Sequence, residues 1–231
     1  MTGRLPAFLV PALLVVLAAC TRTDHIQPDT RVLAIGDSVL AWHGFTHEAP
    51  PDVVAQLTGL PVANLAVAGA RLSATSPAII AKGGDIRLQY QSGPWDWVIL
   101  NGGANDLLAE CSCRGCEATL DSLVGPGGQG GDIPALVDRI VADSARVVIL
   151  GYYDANLRLN PFSRCAEVVD VLNHRLKELA RKRRGVVYVG ADEVIDPANP
   201  AHWYGDRVHP SRLGAALMGE RIAAAMAAYK D

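Results

Sequence analysis

Residues 31–38 read Arg31-Val32-Leu33-Ala34-Ile35-Gly36-Asp37-Ser38, a short apolar run that stops abruptly at Gly-Asp-Ser. An unalternating run of this length suits a strand buried on both faces, as in a parallel sheet covered by helices. Four further runs share the character: Val62 to Val67, Trp97 to Asn101, Arg146 to Gly151 and Val186 to Val189. Between them, Asp132 to Asp143 and Ser163 to Arg184 carry helical patterns, the second with Val168, Leu172, Leu176 and Leu179 on one stripe. A last helix carries Leu213, Leu217, Ile222, Ala225 and Met226 on its apolar side. Strand-helix alternation of this kind predicts an α/β fold, with a central five-stranded parallel sheet covered on both faces.

That topology says where chemistry belongs. In open α/β sheets ligands bind beyond the carboxyl ends of the strands. Ser38 follows the first predicted strand, Gly69 the second and Asn105 the third, so all three fall on one edge. The loop Asp206-Arg207-Val208-His209-Pro210 follows the fifth strand and can reach the same edge. Serine is a poor nucleophile until a base takes its proton, which calls for an imidazole. His209 is the best candidate, because one turn of backbone can bring the Asp206 carboxylate against its Nδ1 and leave Nε2 for Ser38.

Four motifs now stand in order: Gly36-Asp37-Ser38, Asn64-Leu65-Ala66-Val67-Ala68-Gly69, Gly103-Ala104-Asn105-Asp106 and Asp206-Arg207-Val208-His209. In that order they resemble the SGNH or GDSL hydrolase superfamily, over nearly the whole length from Val32 to the final helix. Two positions depart from the family pattern, Val39 for leucine and Ala66 for a common glycine. The resemblance implies a serine esterase with Ser38, Asp206 and His209 as triad. It also implies an oxyanion hole built from the backbone N–H of Ser38, the backbone N–H of Gly69 and the side-chain amide of Asn105. His43, His47, His174 and His202 are rival bases, but only His209 has a carboxylate at the family spacing. The Gly-x-Ser-x-Gly elbow of α/β-hydrolases is absent around Ser38. The expected fold is therefore a flavodoxin-like three-layer α/β/α sandwich. Asp37, Asn64 and Asp106 are expected to hold loops, and Trp42, Trp203 and Tyr204 flank the motifs closely enough to line a pocket.

The first twenty residues describe export. Arg4 precedes an apolar run from Leu9 to Ala19, too short for a spanning helix and typical of a signal segment. It ends in Leu17-Ala18-Ala19-Cys20, which resembles the lipobox of bacterial lipoproteins and implies a lipid on Cys20. Residues 21–30 then read as a tether and residues 31–231 as one hydrolase domain. The expected location is the bacterial cell envelope, anchored to a membrane through Cys20.

Composition narrows the partners. With 21 basic and 24 acidic residues and a formal net charge of −3, the chain has no electrostatic footprint for nucleic acid. The basic run Arg181 to Arg184 reads as a solvated helix end. A small-molecule or glycan ester is the expected partner, and a monomer suffices. No histidine cluster has metal spacing, and Gly125 to Gly131 lacks the Lys-Ser or Lys-Thr ending of a phosphate loop, so neither metal nor cofactor is expected. Besides Cys20 there are Cys111, Cys113, Cys116 and Cys165. In an exported chain they favour disulfides over zinc. One intervening residue makes a Cys111–Cys113 bridge hard to reach, so Cys165 should pair with Cys111 or Cys113. Three of these cysteines and the glycine-rich stretch lie in an insertion, residues 109–131, expected to overhang the active edge with mobility near Gly125 to Gly131. Two other activities fit the same residues: an O-acyltransferase using the same triad, and a non-catalytic glycan-binding or scaffold lipoprotein.

Overall fold

The computed structural model describes residues 24–230; the segment expected to direct export, with Cys20, lies outside the described residues. Five strands form one parallel sheet: β1 (Val32–Ile35), β2 (Val62–Asn64), β3 (Trp97–Leu100), β4 (Arg146–Leu150) and β5 (Val186–Val189). Their order is β2-β1-β3-β4-β5, the doubly wound arrangement of flavodoxin-like folds. The register pairs Val32 with both Val62 and Trp97, and Val147 with Val186. Every residue of β1 and β3 is buried, which is why these strands show no alternation.

The helices are α1 (Ser38–Ala41), α2 (Pro50–Thr58), α3 (Pro77–Ile80), α4 (Ile86–Gln89), α5 (Ala104–Cys111), α6 (Glu117–Leu123), α7 (Asp132–Ala142), α8 (Ala166–Arg181) and α9 (Arg212–Ala228). On one face α2 packs against α9. On the other, α8 is tied to α6 by Arg175–Asp121 (2.7 Å), and Arg183, just past its C-terminus, reaches Asp138 of α7 (2.6 Å). Three layers result, as the sequence predicts.

Two helix faces differ from their sequence patterns. On α8 the buried stripe is Val169, Leu172, Leu176 and Leu179, with Val169 taking the place expected for Val168. On α9 the core is made largely of small residues, Gly214, Ala215, Gly219 and Ala223, with Met218, Ile222 and Met226, while Leu213 is exposed. The reason is close approach to α2: a Cβ at Gly219 would sit 2.5 Å from Val53 Cβ and 2.8 Å from the Pro50 carbonyl oxygen. An apolar pattern scored by size puts Leu213 on a face whose contact with α2 at Gly219 admits no side chain, while Ile222 and Met226 are buried as the pattern predicts.

Part of the expected tether is docked. Asp24 N–H donates to the Asn64 carbonyl (2.9 Å), and the Asp24 carboxylate accepts the Asn64 N–H (3.0 Å). Thr30 is buried, closing a turn in which its hydroxyl accepts the Gln27 N–H. Backbone groups at the free edge of β2 need partners, and this segment supplies them.

The insertion divides into two parts with different destinations. Disulfides join Cys111 to Cys116 and Cys113 to Cys165, one of the two pairings of Cys165 left open by sequence. The glycine stretch does not hang over the active edge. It lies against the C-terminal end of α8, where the Gly127 carbonyl accepts from Lys182 Nζ (2.6 Å) and the Gly128 carbonyl from Arg183 (3.1 Å). The basic run is therefore more than a solvated face, because two of its members satisfy carbonyls that the glycine turn cannot pair internally.

Candidate active site

Ser38 stands at the first turn of α1, directly beyond β1. Asp37 caps this turn, its Oδ1 accepting the Val39 N–H (2.9 Å). The approach to the turn is tight: a Cβ at Gly36 would collide with the Asn101 carbonyl, so only glycine fits. Gln89 clamps the same residue, its side-chain oxygen accepting the Gly36 N–H (2.7 Å) and its amide donating to the Gly36 carbonyl (3.1 Å). The Ser38 turn is therefore held by groups far away in sequence, Gln89 and Asn101.

Beneath Ser38 lies a buried polar network. The Tyr152 hydroxyl donates to Asp37 Oδ2 (2.6 Å) and accepts the Ala104 N–H (3.2 Å). Asn105 Nδ2 approaches the same Asp37 oxygen (3.4 Å) and donates to the Ala70 carbonyl (3.1 Å). Burial pushes the Asp37 carboxyl above its ordinary range, against the Tyr152 and Val39 hydrogen bonds that favour its ionised form. Burial, and then the neighbouring Asp37 charge, push the Tyr152 phenol well above its usual value, so it serves as a hydrogen-bond donor.

Asp106, fully buried, accepts the N–H groups of Leu72 (3.2 Å) and Ser73 (2.7 Å). Asn64 donates to the Leu40 carbonyl (2.8 Å) and accepts the Ala66 N–H (3.1 Å). Both side chains hold loops. Gly69 occupies the third position of the turn Val67–Ala70, closed by the Ala70 N–H on the Val67 carbonyl, with φ at +75°. That conformation suits glycine, and the Asn105–Ala70 bond ties the turn to the third motif.

His209 comes from a separate, tighter loop. Arg207 adopts a left-handed φ of +61° and its N–H donates to the Tyr204 carbonyl (3.0 Å). Asp206 Oδ1 accepts the N–H groups of Val208 and His209, both at 3.0 Å, while Oδ2 lies 2.7 Å from His209 Nδ1. Burial alone would raise the Asp206 carboxyl. The three hydrogen bonds, that from the His209 ring foremost, outweigh burial and hold it below its ordinary value. The loop is braced by the Tyr153 hydroxyl on the Val208 carbonyl (2.8 Å) and by His43 Nε2 donating to the Pro210 carbonyl (3.0 Å). Trp42 lies flat on the His209 ring, centroids 3.7 Å apart and planes 6° from parallel.

A cleft of about 600 Å³, its mouth included, is lined by Ser38, Asn105 and His209 together with Tyr152, Tyr153 and Phe162. Gly69 lies off this lining, on the turn that Asn105 grips. No hydrogen bond joins Ser38 to His209 among the described residues; free sites often close such bonds only when substrate is bound. Cys165 lines the cleft, so the Cys113–Cys165 bridge reaches its wall, while no residue of the 109–131 insertion lines it. The overhang expected of the insertion is thus absent from the lining, and residues after β4 stand there instead. Tyr152 and Tyr153, not singled out by sequence, follow β4 at the same edge as the motifs, and that placement is the signal that could have found them. His202 is engaged elsewhere, its Nδ1 accepting the Asp196 N–H (3.0 Å).

The family model of the GDSL-like lipase/acylhydrolase family matches residues 34–217. The chain belongs to that family. Membership places it among ester-hydrolysing enzymes. No curated protein matches the sequence. Among solved structures, a protein from Agrobacterium tumefaciens with an arylesterase assignment superposes with a TM-score of 0.62 at 21% identity, covering 86% of this chain and 98% of that one. An acetylxylan esterase from Geobacillus stearothermophilus gives 0.59 at 16% identity, covering 89% and 97%. A carbohydrate acetylesterase from Sinorhizobium meliloti gives 0.57 at 18%, covering 86% and 99%. At these identities the likeness is one of fold.

Proposed function

We propose that this chain hydrolyses carboxylic esters through an acyl-enzyme on Ser38, with His209 as general base and acid and Asp206 as its orienting carboxylate. The observation that carries the reading is the 2.7 Å contact of Asp206 with His209 Nδ1, in a loop that also puts His209 on the cleft wall shared with Ser38. With Nδ1 bonded to the carboxylate, Nε2 is the nitrogen available to take the Ser38 proton. The Ser38 oxygen then bonds the acyl carbon, and the displaced alkoxy oxygen receives that proton from His209. Water repeats the sequence to release the acid. Charge on the carbonyl oxygen is met by the Ser38 and Gly69 backbone N–H groups and the Asn105 amide.

For the setting, we propose export and membrane anchoring through lipid on Cys20, supported by the lipobox-like tetrapeptide Leu17-Ala18-Ala19-Cys20.

Labelling with a serine-directed fluorophosphonate tests the mechanism. The wild-type chain should label and cleave short acetyl esters. Ser38→Ala should lose labelling and lower kcat by about 10⁴- to 10⁶-fold, the scale seen when a triad nucleophile is removed. A folded Ser38→Ala protein that still turns over at the wild-type rate would remove Ser38 from the reaction.

A further inference from the structure

The carboxyl edge of the sheet holds two features that the reaction proposed for Ser38 does not use. One is the turn 156–160, in the segment after β4. Asn156 Oδ1 accepts the Arg158 N–H (2.9 Å), and Asn160 Nδ2 donates to the Arg158 carbonyl (3.1 Å). Asn160 also accepts the Phe162 N–H at its Oδ1 (2.9 Å) and donates its own N–H to the Ser163 hydroxyl (2.8 Å). Asn156 and Asn160 line the cleft that holds Ser38 and His209, whereas Leu157 and Leu159 are 75% and 88% exposed, more than any other large apolar side chain among the described residues. A hydrogen-bonded turn thus holds two leucines in water at the cleft, and an ordered apolar pair in that place marks a contact surface. Between them Arg158 is exposed and has no ion-pair partner among the described residues.

The other feature is where the chain enters the fold. Asp24 pairs with Asn64, the last residue of β2, through its backbone N–H and through its carboxylate, so the chain arrives at the carboxyl edge. Four residues lead from Cys20 to Asp24, a span of at most about 14 Å even fully extended. A domain of this length is about 40 Å across. A lipid on Cys20, the anchor proposed above and on which this inference rests, therefore leaves too little tether to turn the opposite end of the domain to the bilayer. The edge that carries the cleft is the one held against it.

Tether length and exposed side chains point to one occupant. We propose that the turn 156–160 docks on the surface of the bilayer that holds the Cys20 lipid, with Leu157 and Leu159 entering the acyl-chain boundary and Arg158 meeting lipid phosphate. Interfacial segments divide their groups in this way, apolar side chains beneath the headgroups and a cation on a long stem at their level. The cleft beside the turn then opens toward the bilayer.

The full chain in vesicles of phosphatidylcholine and phosphatidylglycerol provides the test, with brominated acyl chains as the quencher of tryptophan emission. Leu159→Trp and Leu57→Trp place the probe at two exposed positions on opposite edges, since Leu57 lies near the C-terminal end of α2, which runs back to the start of β2. Emission from the four native tryptophans is measured in the parent chain and subtracted. The emission added at 159 should be lost with brominated lipid, and that added at 57 should be kept. In a chain that carries the lipid, equal quenching at both positions, or none at 159, overturns the proposal. Quenching at 57 alone overturns it too. A rise in solution mass in detergent that Leu159→Ser abolishes, with no quenching at 159, makes the turn a contact between copies and likewise overturns it. Mass spectrometry of the same protein reports the lipid on Cys20 separately. A chain without that lipid, yet bound to vesicles and quenched at 159, overturns the anchor and supports the turn as the contact.

Discussion

Two aspartates flank the Ser38 site, and their surroundings pull them in opposite directions. Asp37, on the floor, is buried and its carboxyl is driven up by desolvation, with Tyr152 and the Val39 N–H working against that cost. Asp206, on the rim, is about a third exposed and accepts three hydrogen bonds that hold its carboxyl down. A floor group that resists ionising suits a structural brace, while a rim group that stays ionised suits the orientation of an imidazole. In the proposed mechanism, the difference separates what builds this site from what operates it.

The sharpest way to break that contrast is to neutralise the rim. Asp206→Asn keeps an oxygen for the Val208 and His209 N–H groups but removes the negative charge beside His209 Nδ1 and disturbs its tautomer. We expect kcat to fall about 10⁴-fold, as for the orienting aspartate of other triads, with circular dichroism unchanged. A loss below about tenfold would place the orienting role elsewhere.

Asn105 sits between floor and rim, and its substitution comes next in size. Its amide donates to the Ala70 carbonyl, which aims the group, and makes a longer 3.4 Å contact with Asp37 Oδ2, the one that a developing oxyanion would replace in the proposed reaction. Asn105→Ala should lower kcat about 10²- to 10³-fold with little change in KM. A change confined to KM would make Asn105 a ground-state contact only.

Much of this was legible in sequence because local patterns carry it. The strands announce themselves as unalternating runs because both faces of the sheet are covered, and the first three motifs sit at strand ends where an open sheet binds ligands, the fourth reaching that edge on the loop before α9. Tyr152 was not legible: its partner Asp37 lies 115 residues away, and a lone tyrosine past a strand has no spacing signature. The glycine stretch misled for a related reason. Composition reads Gly125 to Gly131 as mobile, yet its carbonyls are gripped by Lys182 and Arg183 at the end of another helix, a contact that no local window contains. The α9 face was legible only in part: Ile222 and Met226 are buried as their periodicity says, but Leu213 is exposed, because the packing against α2 selects for smallness while periodicity ranks residues by hydrophobicity.

Breaking the floor should cost stability more than it costs chemistry. Tyr152→Phe strips Asp37 of its best donor and leaves the Ala104 N–H without its acceptor, both out of water. A loss of about 2–3 kcal/mol is expected at pH 7, read from urea denaturation. The pH dependence has a definite sign. Because the folded-state value of Asp37 lies above its unfolded value, its contribution is fully present in acid, below the unfolded value, and is lost as pH rises through the folded one. Tyr152 limits that loss by favouring the ionised form. The penalty of Tyr152→Phe should therefore grow from acid toward neutral pH, and a penalty that is flat over this range would mean that Asp37 does not titrate where its burial says it should.

The smallest effect sharpens the same comparison from the rim. Asp206 has a folded-state value below its unfolded one, so its contribution is present above the unfolded value and is lost as pH falls through the folded one. Because the group is partly exposed and screened, Asp206→Asn should cost under about 1 kcal/mol of stability at pH 7. That difference should vanish on acidification. The penalties of both variants thus shrink in acid, but for opposite reasons: in wild type the Asp206 contribution itself disappears there, whereas the Asp37 contribution is then at its fullest and needs Tyr152 least. Paired denaturation series, run with Asp37→Asn as background, separate the two. Removing the Asp37 carboxylate should flatten the pH dependence of the Tyr152→Phe penalty and leave that of Asp206→Asn in place. Loss of both dependences together would mean that the two carboxylates share one electrostatic environment, and the division between a buried brace and an ionised rim would fall.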